Sequence, residues 1–430
     1  MEKQFKHELT LDEATSLRIT GGKPLYGEVK PDGAKNSSLY ALVAATYIRE
    51  GWMTLENIPL ITDIQMTLLT LKEIGMNFTI KDGAIKIYGE VEHTNISDQY
   101  ASKTRASIAF LGALLSQYGS ITLPLPGGDK IGDRPIDIHI DVIKSFGASI
   151  AIEGGFVKAS MDISKLTGKD IFLRYPSVGA TINAIFMAIT ASGRTTITNA
   201  AKEPEIVDLI TLLSKMGADI RGGGTNRIII EGVSTLESVN HEIIPDRLEA
   251  GALIMCFAMT GGKGIVSGSI PEHNRPLIHT LQSVGMNIEV IDDNIHIDAS
   301  KPIKPFHVET QPYPGLATDL QAICTSFALV CPGTSTIKDT VFEERFAHVE
   351  ELRKMGADIE KNGNKIYIHN VPHLTGATVS GGDIRCVVSL IMAALAIDDI
   401  SHVGGIEHLL RGHIHFIDKL KSLHADIELI

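Results

Sequence analysis

The chain repeats one pattern of hydrophobic and polar positions six times. In each copy a leucine-rich amphipathic stretch ends at a small turn, and isoleucine then alternates with charged residues. Apolar residues at helical spacing predict a helix, and a glycine at its end suits a cap with positive φ. Alternation of apolar and polar residues predicts a half-buried strand. Each copy, such as LKEIGMNFTI or ELRKMGADI, therefore predicts helix, turn and strand.

The copies recur at a nearly constant spacing of 68 to 72 residues. A fixed period of this length is typical of repeat architectures. The equivalent turn positions are Gly75, Gly147, Gly217, Gly285, Gly356 and His424. A second strand is predicted upstream of each repeat helix, in residues 52–58, 120–125, 195–200, 264–270, 334–342 and 400–406. Each repeat is therefore a small βαβ-containing fold.

The six repeats predict an α/β protein with two similar domains. Amphipathic helices and strands with one apolar face must stack to bury both surfaces. We expect residues 34–244 to form one domain and residues 245–430 the other, with residues 1–16 as an N-terminal extension. A small ligand is expected between two such domains. A repeat scaffold that only binds partners is the alternative that the repeats leave open.

Composition narrows the class of protein. The 430 residues suffice for two or three globular domains, and the net charge of −12 argues against a nucleic-acid-binding protein. The longest nearly apolar stretch, residues 386–397, is too short to span a bilayer, and the N-terminus has no apolar signal segment. The four cysteines show neither zinc-ligand spacing nor a disulfide framework, which favours a reducing cytoplasm.

The residues that do not recur between repeats are the candidates for chemistry. Lys35 and Asn36 follow a small-residue turn at the expected start of a helix, a pattern that binds phosphate. A solvated lysine is the alternative. The loop of residues 126–139 carries Asp129, Arg134 and His139 with little apolar content, as mobile lids do. An exposed turn is the alternative there.

Four arginines interrupt apolar or small-residue segments: Arg105, Arg345, Arg385 and Arg411. Guanidinium groups bind carboxylate and phosphate bidentately, so arginines in both halves suit a ligand with two anionic groups. A structural ion pair between Arg385 and Asp383 is the alternative. Asp319, among small residues, is a candidate general base or a helix N-cap.

Nine segments, in order, resemble the motifs of the enolpyruvyl transferases. They read GAKN, KTRAS, PGGDKIGDRPIDIH, PSVGAT, AKEPEIVD, PDRLEAG, ATDLQA, FEERFAHVEEL and DIR. The resemblance covers essentially the whole chain after about residue 17. The resemblance is strongest to the members that use UDP-N-acetylglucosamine as acceptor. It implies a two-domain inside-out α/β barrel with three repeats per domain, in which residues 17–33 join residues 245–430.

The resemblance also implies an activity. The enolpyruvyl group of phosphoenolpyruvate would be transferred to the 3′-hydroxyl of UDP-N-acetylglucosamine with release of phosphate, as the first committed step of peptidoglycan synthesis. These two small molecules would be the partners, without nucleic acid, membrane, metal or other cofactor, in the cytoplasm. Two alternatives stay open, namely an enolpyruvyl transferase for another nucleotide acceptor such as UMP and a non-catalytic UDP-sugar sensor.

Three catalytic residues are implied by the resemblance: Asp129, Asp319 and Lys35. Asp129 stands where most relatives have a cysteine, and it would protonate the methylene carbon of phosphoenolpyruvate. Asp319 would take the proton from the attacking hydroxyl. Because the antibiotic fosfomycin alkylates the loop thiol of relatives, a carboxylate at this position implies insensitivity to it.

The remaining implied site residues bind the substrates. Lys35, Arg134 and Arg411 would bind the phosphate of phosphoenolpyruvate, and Arg345 and Arg385 its carboxylate. Leu410 and His413 depart from the residues that relatives commonly have around Arg411, so a different orientation of Arg411 is an open alternative. The full substrate-binding set is Asn36, Arg105, Arg134, Ser177, Val178, Gly179, Val341, Phe342, Arg345, Arg385 and Arg411.

Overall fold

A computed structural model of the protein describes residues 15–128, 135–301 and 303–430. Their internal contacts divide them into two compact units. The first unit contains residues 33–128 and 135–244, and the second contains residues 15–32 and 245–430. None of the helices in the described ranges combines the length and hydrophobicity that crossing a membrane requires.

The strands lie mostly in pairs after each helix. In chain order they are β1 (Ser16–Thr20), β2 (Tyr26–Val29), β3 (Trp52–Glu56), β4 (Asn77–Lys81), β5 (Ala84–Tyr88), β6 (Ser120–Pro124), β7 (Ser149–Glu153), β8 (Phe156–Ser160), β9 (Asp170–Phe172), β10 (Arg194–Thr198), β11 (Asp219–Arg221), β12 (Arg227–Glu231), β13 (Val239–Glu242), β14 (Lys263–Val266), β15 (Asn287–Ile291), β16 (Asn294–Asp298), β17 (His307–Thr310), β18 (Thr334–Asp339), β19 (Asp358–Asn362), β20 (Lys365–His369), β21 (Thr378–Ser380), β22 (Ile400–Gly404) and β23 (Asp426–Leu429).

The helices alternate with these strands. They are α1 (Lys35–Ala44), α2 (Thr62–Glu73), α3 (Asp98–Ala101), α4 (Ala109–Tyr118), α5 (Asp137–Ser145), α6 (Val178–Ala188), α7 (Pro204–Lys215), α8 (Arg247–Thr260), α9 (Arg275–Ser283), α10 (Gln321–Ala328), α11 (His348–Lys354), α12 (Ile384–Ala396) and α13 (Phe416–Ser422). Short 3-10 helices add further turns, among them Arg105–Ile108, Thr318–Leu320 and Ile406–Arg411.

Each repeat builds one small sheet around the strand predicted upstream of its helix. The orders are β13-β3-β5-β4, β6-β8-β7 and β11-β12-β10-β9 in the first unit, and β15-β16-β14-β2, β17-β18-β20-β19 and β21-β22-β1-β23 in the second. In five sheets one neighbour of that strand runs parallel to it and the other antiparallel. The predicted α/β class with six βαβ repeats is thus confirmed.

The N-terminal segment contributes two strands to the second unit. β1 pairs antiparallel with β22 and β23, and β2 pairs parallel with β14. The segment does not form one continuous strand, because the extended stretch is broken at Gly21 and Gly22. Side chains cannot fit there, because an added Cβ on Gly21 would lie 2.0 Å from the carbonyl oxygen of Ala394.

Apolar helices form the core of each unit, while the sheets keep one face exposed. In the second unit α8, α10 and α12 contact one another, and their residues are buried almost throughout. In the first unit α4 contacts both α1 and α6. Helices that are hydrophobic on all sides must be covered, which explains why helices rather than strands lie innermost in this fold.

The repeated turn positions adopt the conformation that the sequence predicts. All six have positive φ, between 70° and 108°. Glycine has no Cβ and reaches this region without strain. His424 occupies it at φ 70° with an exposed side chain, so the sixth repeat keeps the turn without the glycine.

Candidate functional site

In the second unit one carboxylate binds two arginines. Asp319 lies in the 3-10 helix Thr318–Leu320, and its Oδ1 accepts from Nη2 of Arg345 at 2.9 Å and from the guanidinium of Arg385. The Asp319 and Arg385 side chains are about a quarter exposed, whereas that of Arg345 is buried. Asp319 does not cap a helix with its side chain, so the N-cap alternative is wrong.

The two arginines are supported by different elements. Arg385 lies in the first turn of α12, where the carboxylate of Asp383 accepts from the backbone N–H groups of Arg385 and Cys386. Arg345 lies in the turn between β18 and α11, and its guanidinium carbon is 5.4 Å from the ring centre of Phe342. Its Nη1 also donates to Thr318 at 3.0 Å. Asp383 therefore fixes the helix start, while Arg385 reaches Asp319.

The cluster has spare capacity for an anion. Nε of Arg345 is buried and has no hydrogen-bond partner among the described residues. A carboxylate or phosphate entering this place would meet two guanidinium groups already held in position, and would compete with Asp319 for them.

Two further predicted residues of the second unit lie close in sequence to Arg345. The backbone N–H groups of Val341 and Phe342 donate to the Asp339 carboxylate at 2.9 Å each. Arg411 is half-buried at the end of the 3-10 helix Ile406–Arg411, and Leu410 beside it is also half-buried.

In the first unit the glycine turn before α1 fits tightly against two neighbouring segments. An added Cβ on Gly33 would lie 1.6 Å from the carbonyl oxygen of Asn57, so only glycine fits. The N–H of Ala34 donates to Ile244 at 2.8 Å. This turn places Lys35 and Asn36 in the first turn of α1, where free N–H groups attract anions.

Lys35 is paired with a buried acid that sequence analysis did not identify. Its Nζ lies 2.8 Å from Oδ2 of Asp63 in the first turn of α2. The Asp63 side chain is 6% exposed and that of Lys35 20% exposed. An aspartate at a helix start is so common that no sequence signal separates this one from an ordinary cap.

The turn at residues 177–179 begins α6. Ser177 is its N-cap, and the hydroxyl accepts from the N–H of Ala180 at 3.3 Å. Val178 and Gly179 therefore lie in the first turn of a helix of 11 residues. A helix N-terminus of this kind is suited to bind a phosphate group.

His139 packs directly against this turn. A Cβ added to Gly179 would lie 2.6 Å from Cε1 of His139, so the imidazole occupies the space that a side chain would need. Nδ1 of His139 is 2.8 Å from the amide nitrogen of Asn183 and accepts from it. Burial, and secondarily the Arg105 charge, lowers the pKa of His139 to about 4. The ring is neutral and acts as a rigid support.

Arg105 begins the 3-10 helix Arg105–Ile108 and donates to the carbonyl oxygen of Pro135 at 3.4 Å. It thereby binds the segment that enters α5. Asp129 and Arg134, both predicted site residues, lie outside the described residues. The structure thus groups Lys35, Asn36, Arg105, Ser177, Val178 and Gly179 in the first unit, and Asp319, Val341, Phe342, Arg345, Arg385 and Arg411 in the second.

Two other acids of the second unit have structural roles. Asp246 caps α8, accepting from the N–H groups of Leu248 and Glu249. Glu249 is buried and lies 2.7 Å from Nζ of Lys419. The described residues contain no group of three or more metal-ligating side chains.

Comparison with known proteins places these features in a family. Residues 19–420 match the family of EPSP synthase (3-phosphoshikimate 1-carboxyvinyltransferase). UDP-N-acetylglucosamine 1-carboxyvinyltransferase 1 of Caldanaerobacter subterraneus is 40% identical over 96% of this chain and 99% of its own length. The protein of the same name from Streptococcus agalactiae is 41% identical over 96% of this chain and 98% of its own.

A solved structure agrees in fold. The enolpyruvyl transferase NikO from Streptomyces tendae superposes with a TM-score of 0.86 at 23% identity, covering 96% of this chain and 98% of that one. This likeness concerns the fold, while the sequence matches establish the family. The chain is a transferase that belongs to the enolpyruvyl transferase family of EPSP synthase.

Proposed function

We propose that the protein transfers the enolpyruvyl group of phosphoenolpyruvate to the 3′-hydroxyl of UDP-N-acetylglucosamine and releases phosphate, the first committed step of peptidoglycan synthesis. The relatives that are about 40% identical over nearly the whole chain carry the name of this activity. The structural observation that carries the proposal is the pairing of Asp319 with both Arg345 and Arg385.

That pairing suits both steps that the reaction needs. The two guanidinium groups can bind the carboxylate of phosphoenolpyruvate bidentately. When they do, the Asp319 carboxylate is released and can accept the proton of the acceptor hydroxyl. Substrate binding would thus make the base available, which links deprotonation of the hydroxyl to the presence of phosphoenolpyruvate.

The chemistry balances as an addition followed by an elimination. The 3′-oxygen forms a bond to C2 of phosphoenolpyruvate as its proton passes to Asp319, and C3 gains a proton from an acid. Loss of a proton from C3 then expels phosphate from C2 and restores the double bond. Lys35, Arg134 and Arg411 would stabilise the phosphate that leaves. Because water can intercept such intermediates, the reaction requires its exclusion.

Asp129 is our candidate for the acid at C3. An aspartate has an ordinary pKa of about 4, so it needs the negative charge of phosphoenolpyruvate and loss of water to hold a proton near neutral pH. The same carboxylate is a poor nucleophile for an epoxide, and we therefore propose insensitivity to fosfomycin.

The cysteines support this insensitivity and a cytoplasmic location. All four are free and buried, and burial raises the pKa of Cys324, Cys331 and Cys386 to about 12. The pKa of Cys256 is raised further by the same cause. A protonated, buried thiol does not attack an epoxide.

Each unit contains residues that suit binding of the UDP-sugar. The N-terminal turn of α6, with Ser177, Val178 and Gly179, suits a phosphate of the nucleotide. In the second unit the segment of Val341 and Phe342, together with Asp319, would contact the sugar, as Asn36 and Arg105 would from the first unit. The UDP-sugar carries a diphosphate, and phosphoenolpyruvate carries a phosphate and a carboxylate. Several separate anionic groups explain why the candidate site contains several lysine and arginine side chains.

The test is phosphate release from phosphoenolpyruvate by purified protein with UDP-N-acetylglucosamine, with UMP and without acceptor. The proposal requires release with the UDP-sugar only. Release with UMP alone would assign the protein to another nucleotide acceptor. Binding of the UDP-sugar without release under any condition would indicate a sensor instead of an enzyme.

A further inference from the structure

Asp339, at the end of β18, is fully buried and holds three chain segments together. Its Oδ1 accepts from the hydroxyl of Thr310 at 2.8 Å and from the N–H groups of Val341 and Phe342 at 2.9 Å each. Its Oδ2 accepts from the hydroxyl of Thr318 at 2.7 Å. A buried carboxylate needs such donors, since an unbonded one would be severely destabilising. All three segments are thereby fixed relative to one another.

Thr318 transmits this constraint to Arg345. A hydroxyl has one proton, and Thr318 gives that proton to Asp339. It therefore presents a lone pair to Nη1 of Arg345, which donates to it at 3.0 Å. The Asp339 carboxylate thus sets the orientation of the Thr318 hydroxyl, and this orientation presents an oxygen lone pair to the Arg345 guanidinium.

Phe342 completes the enclosure of the same guanidinium. Its ring lies 5.4 Å from the guanidinium carbon of Arg345, and its backbone N–H is bound by Asp339. Asp319 supplies a third contact at 2.9 Å. Of these three groups, Thr318 and Phe342 are held by Asp339, which itself makes no contact with the guanidinium among the described residues.

We infer that Asp339 is a positioning residue for carboxylate recognition: through Thr318 and Phe342 it fixes the Arg345 guanidinium in the orientation that phosphoenolpyruvate needs. This inference rests on the proposed function. Bidentate binding requires a fixed fork, so a loose Arg345 would lose affinity for phosphoenolpyruvate more than for the UDP-sugar.

Two threonines provide a matched pair of variants. Thr310 and Thr318 are both buried, and each gives one hydroxyl hydrogen bond to Asp339, but only Thr318 touches Arg345. Thr318→Val should lower kcat/KM for phosphoenolpyruvate by about 10- to 100-fold, the size expected for a hydrogen bond to a charged group. Thr310→Val should change kcat/KM for phosphoenolpyruvate by less than about 3-fold. Thr318→Ser keeps the hydroxyl and should therefore retain most of the wild-type kcat/KM.

A purely structural role of Asp339 predicts a different result. Thr318→Val and Thr310→Val would then lower the melting temperature alike and affect both substrates alike. Equal losses of kcat/KM in the two variants, or a failure of Thr318→Ser to restore activity, would overturn the inference. A KM for UDP-N-acetylglucosamine that stays within about 3-fold in Thr318→Val supports it.

Asp339→Asn extends the test to the carboxylate itself. An amide side chain has one acceptor oxygen, so it cannot serve the N–H groups of residues 341–342 and the Thr318 hydroxyl at the same time. We expect KM to rise for both substrates. If this variant does not fold, the threonine pair still decides the question.

A measurement without substrate separates this inference from the proposed function. In protein labelled with ¹⁵N-arginine, the Nη signals of Arg345 should shift in Thr318→Val and remain in place in Thr310→Val. Unchanged signals in both variants would overturn the inference, whether or not the wild type releases phosphate. Absence of phosphate release by the wild type would instead reject the proposed function alone.

Discussion

The guanidinium of Arg385 donates to Asp319, a residue 66 positions earlier in the chain. The proposed base, Asp319, is therefore hydrogen-bonded to the same guanidinium that would bind the carboxylate of phosphoenolpyruvate. Asp319→Asn should therefore have two opposite effects. It should lower kcat by about 10²- to 10⁴-fold through loss of the base, and it should tighten binding of phosphoenolpyruvate because a competing anion is gone.

Calorimetric titration with phosphoenolpyruvate and steady-state kinetics check both effects. Asp358→Asn is the matched control, because Asp358 is an exposed aspartate of β19 in the same unit. It should leave both quantities unchanged. Weaker binding of phosphoenolpyruvate by Asp319→Asn would show that its carboxylate does not compete for the arginines.

Asp129 gives a prediction about chemistry and about an antibiotic. Asp129→Asn should abolish phosphate release while leaving the affinity for UDP-N-acetylglucosamine nearly intact, because an amide cannot supply the proton. Asp129→Cys should introduce time-dependent inactivation by fosfomycin, detected as a single adduct by mass spectrometry. Stoichiometric labelling of the wild-type protein at Asp129 would refute the proposed insensitivity.

Gly179 and His139 form a steric pair. Because the added Cβ would lie 2.6 Å from the imidazole, Gly179→Ala should lower the free energy of unfolding by about 1–3 kcal/mol. In a His139→Ala background the same change should cost much less. Urea denaturation of the four proteins measures this coupling. Equal costs in both backgrounds would mean that the two residues do not restrict each other.

His424 tests the repeat turn. Its φ of 70° is unfavourable for a side chain with a Cβ, so His424→Gly should raise the free energy of unfolding by about 0.5–1 kcal/mol. His424→Ala is the control, since it removes the imidazole but keeps the Cβ, and it should not stabilise the protein. Thermal or urea unfolding distinguishes the two, and a gain with alanine equal to that with glycine would rule out the backbone explanation.

The buried acid Glu249 predicts a pH dependence. Burial raises the pKa of Glu249 above its ordinary value of 4.5, to about 7, although Lys419 opposes the shift. Because this pKa is raised in the folded state, the contribution of Glu249 to the free energy of unfolding is fully present below pH 4.5. It is lost as the pH rises through about 7. The free energy of unfolding of the wild type minus that of Glu249→Gln should therefore fall between these pH values.

The comparison removes the contributions of groups that do not interact with Glu249. His139 has a lowered pKa of about 4 and changes stability in the opposite direction over part of the same range, but it is present in both proteins. Glu289→Gln in β15 is an exposed control and should give a difference that is independent of pH. A flat difference for Glu249→Gln would show that the pKa of Glu249 is the same in the folded and the unfolded protein.

The sequence predicted the repeats because their cause is local. Hydrophobic spacing and a turn that demands positive φ lie within a few residues of each other, so Gly75 and Gly217 could be recognised without tertiary information. The outer strands of the sheets were harder to predict from the sequence. β13 lies near the end of the first unit's sequence but pairs with β3 near its beginning. The strand expected beside β6 is reduced to a single bridge at Asn95.

The site was predicted as a set of residue types but not as a network. The sequence indicates Asp319, Arg345 and Arg385 as site residues, yet it makes Asp383 an equally good partner for Arg385. Only the fold decides that Asp383 binds backbone N–H groups while Asp319 meets both arginines. The sequence did not indicate a role for Asp339, because an aspartate at the end of a strand is common in turns of every kind.

The most direct test of the account is the identity of the product. After incubation with phosphoenolpyruvate and UDP-N-acetylglucosamine, proton NMR should show vinyl protons of an enolpyruvyl ether, with a long-range carbon correlation to H3′ of the sugar. One such ether is expected for each phosphate released. Phosphate release without this ether, or an ether at a different hydroxyl, would contradict it.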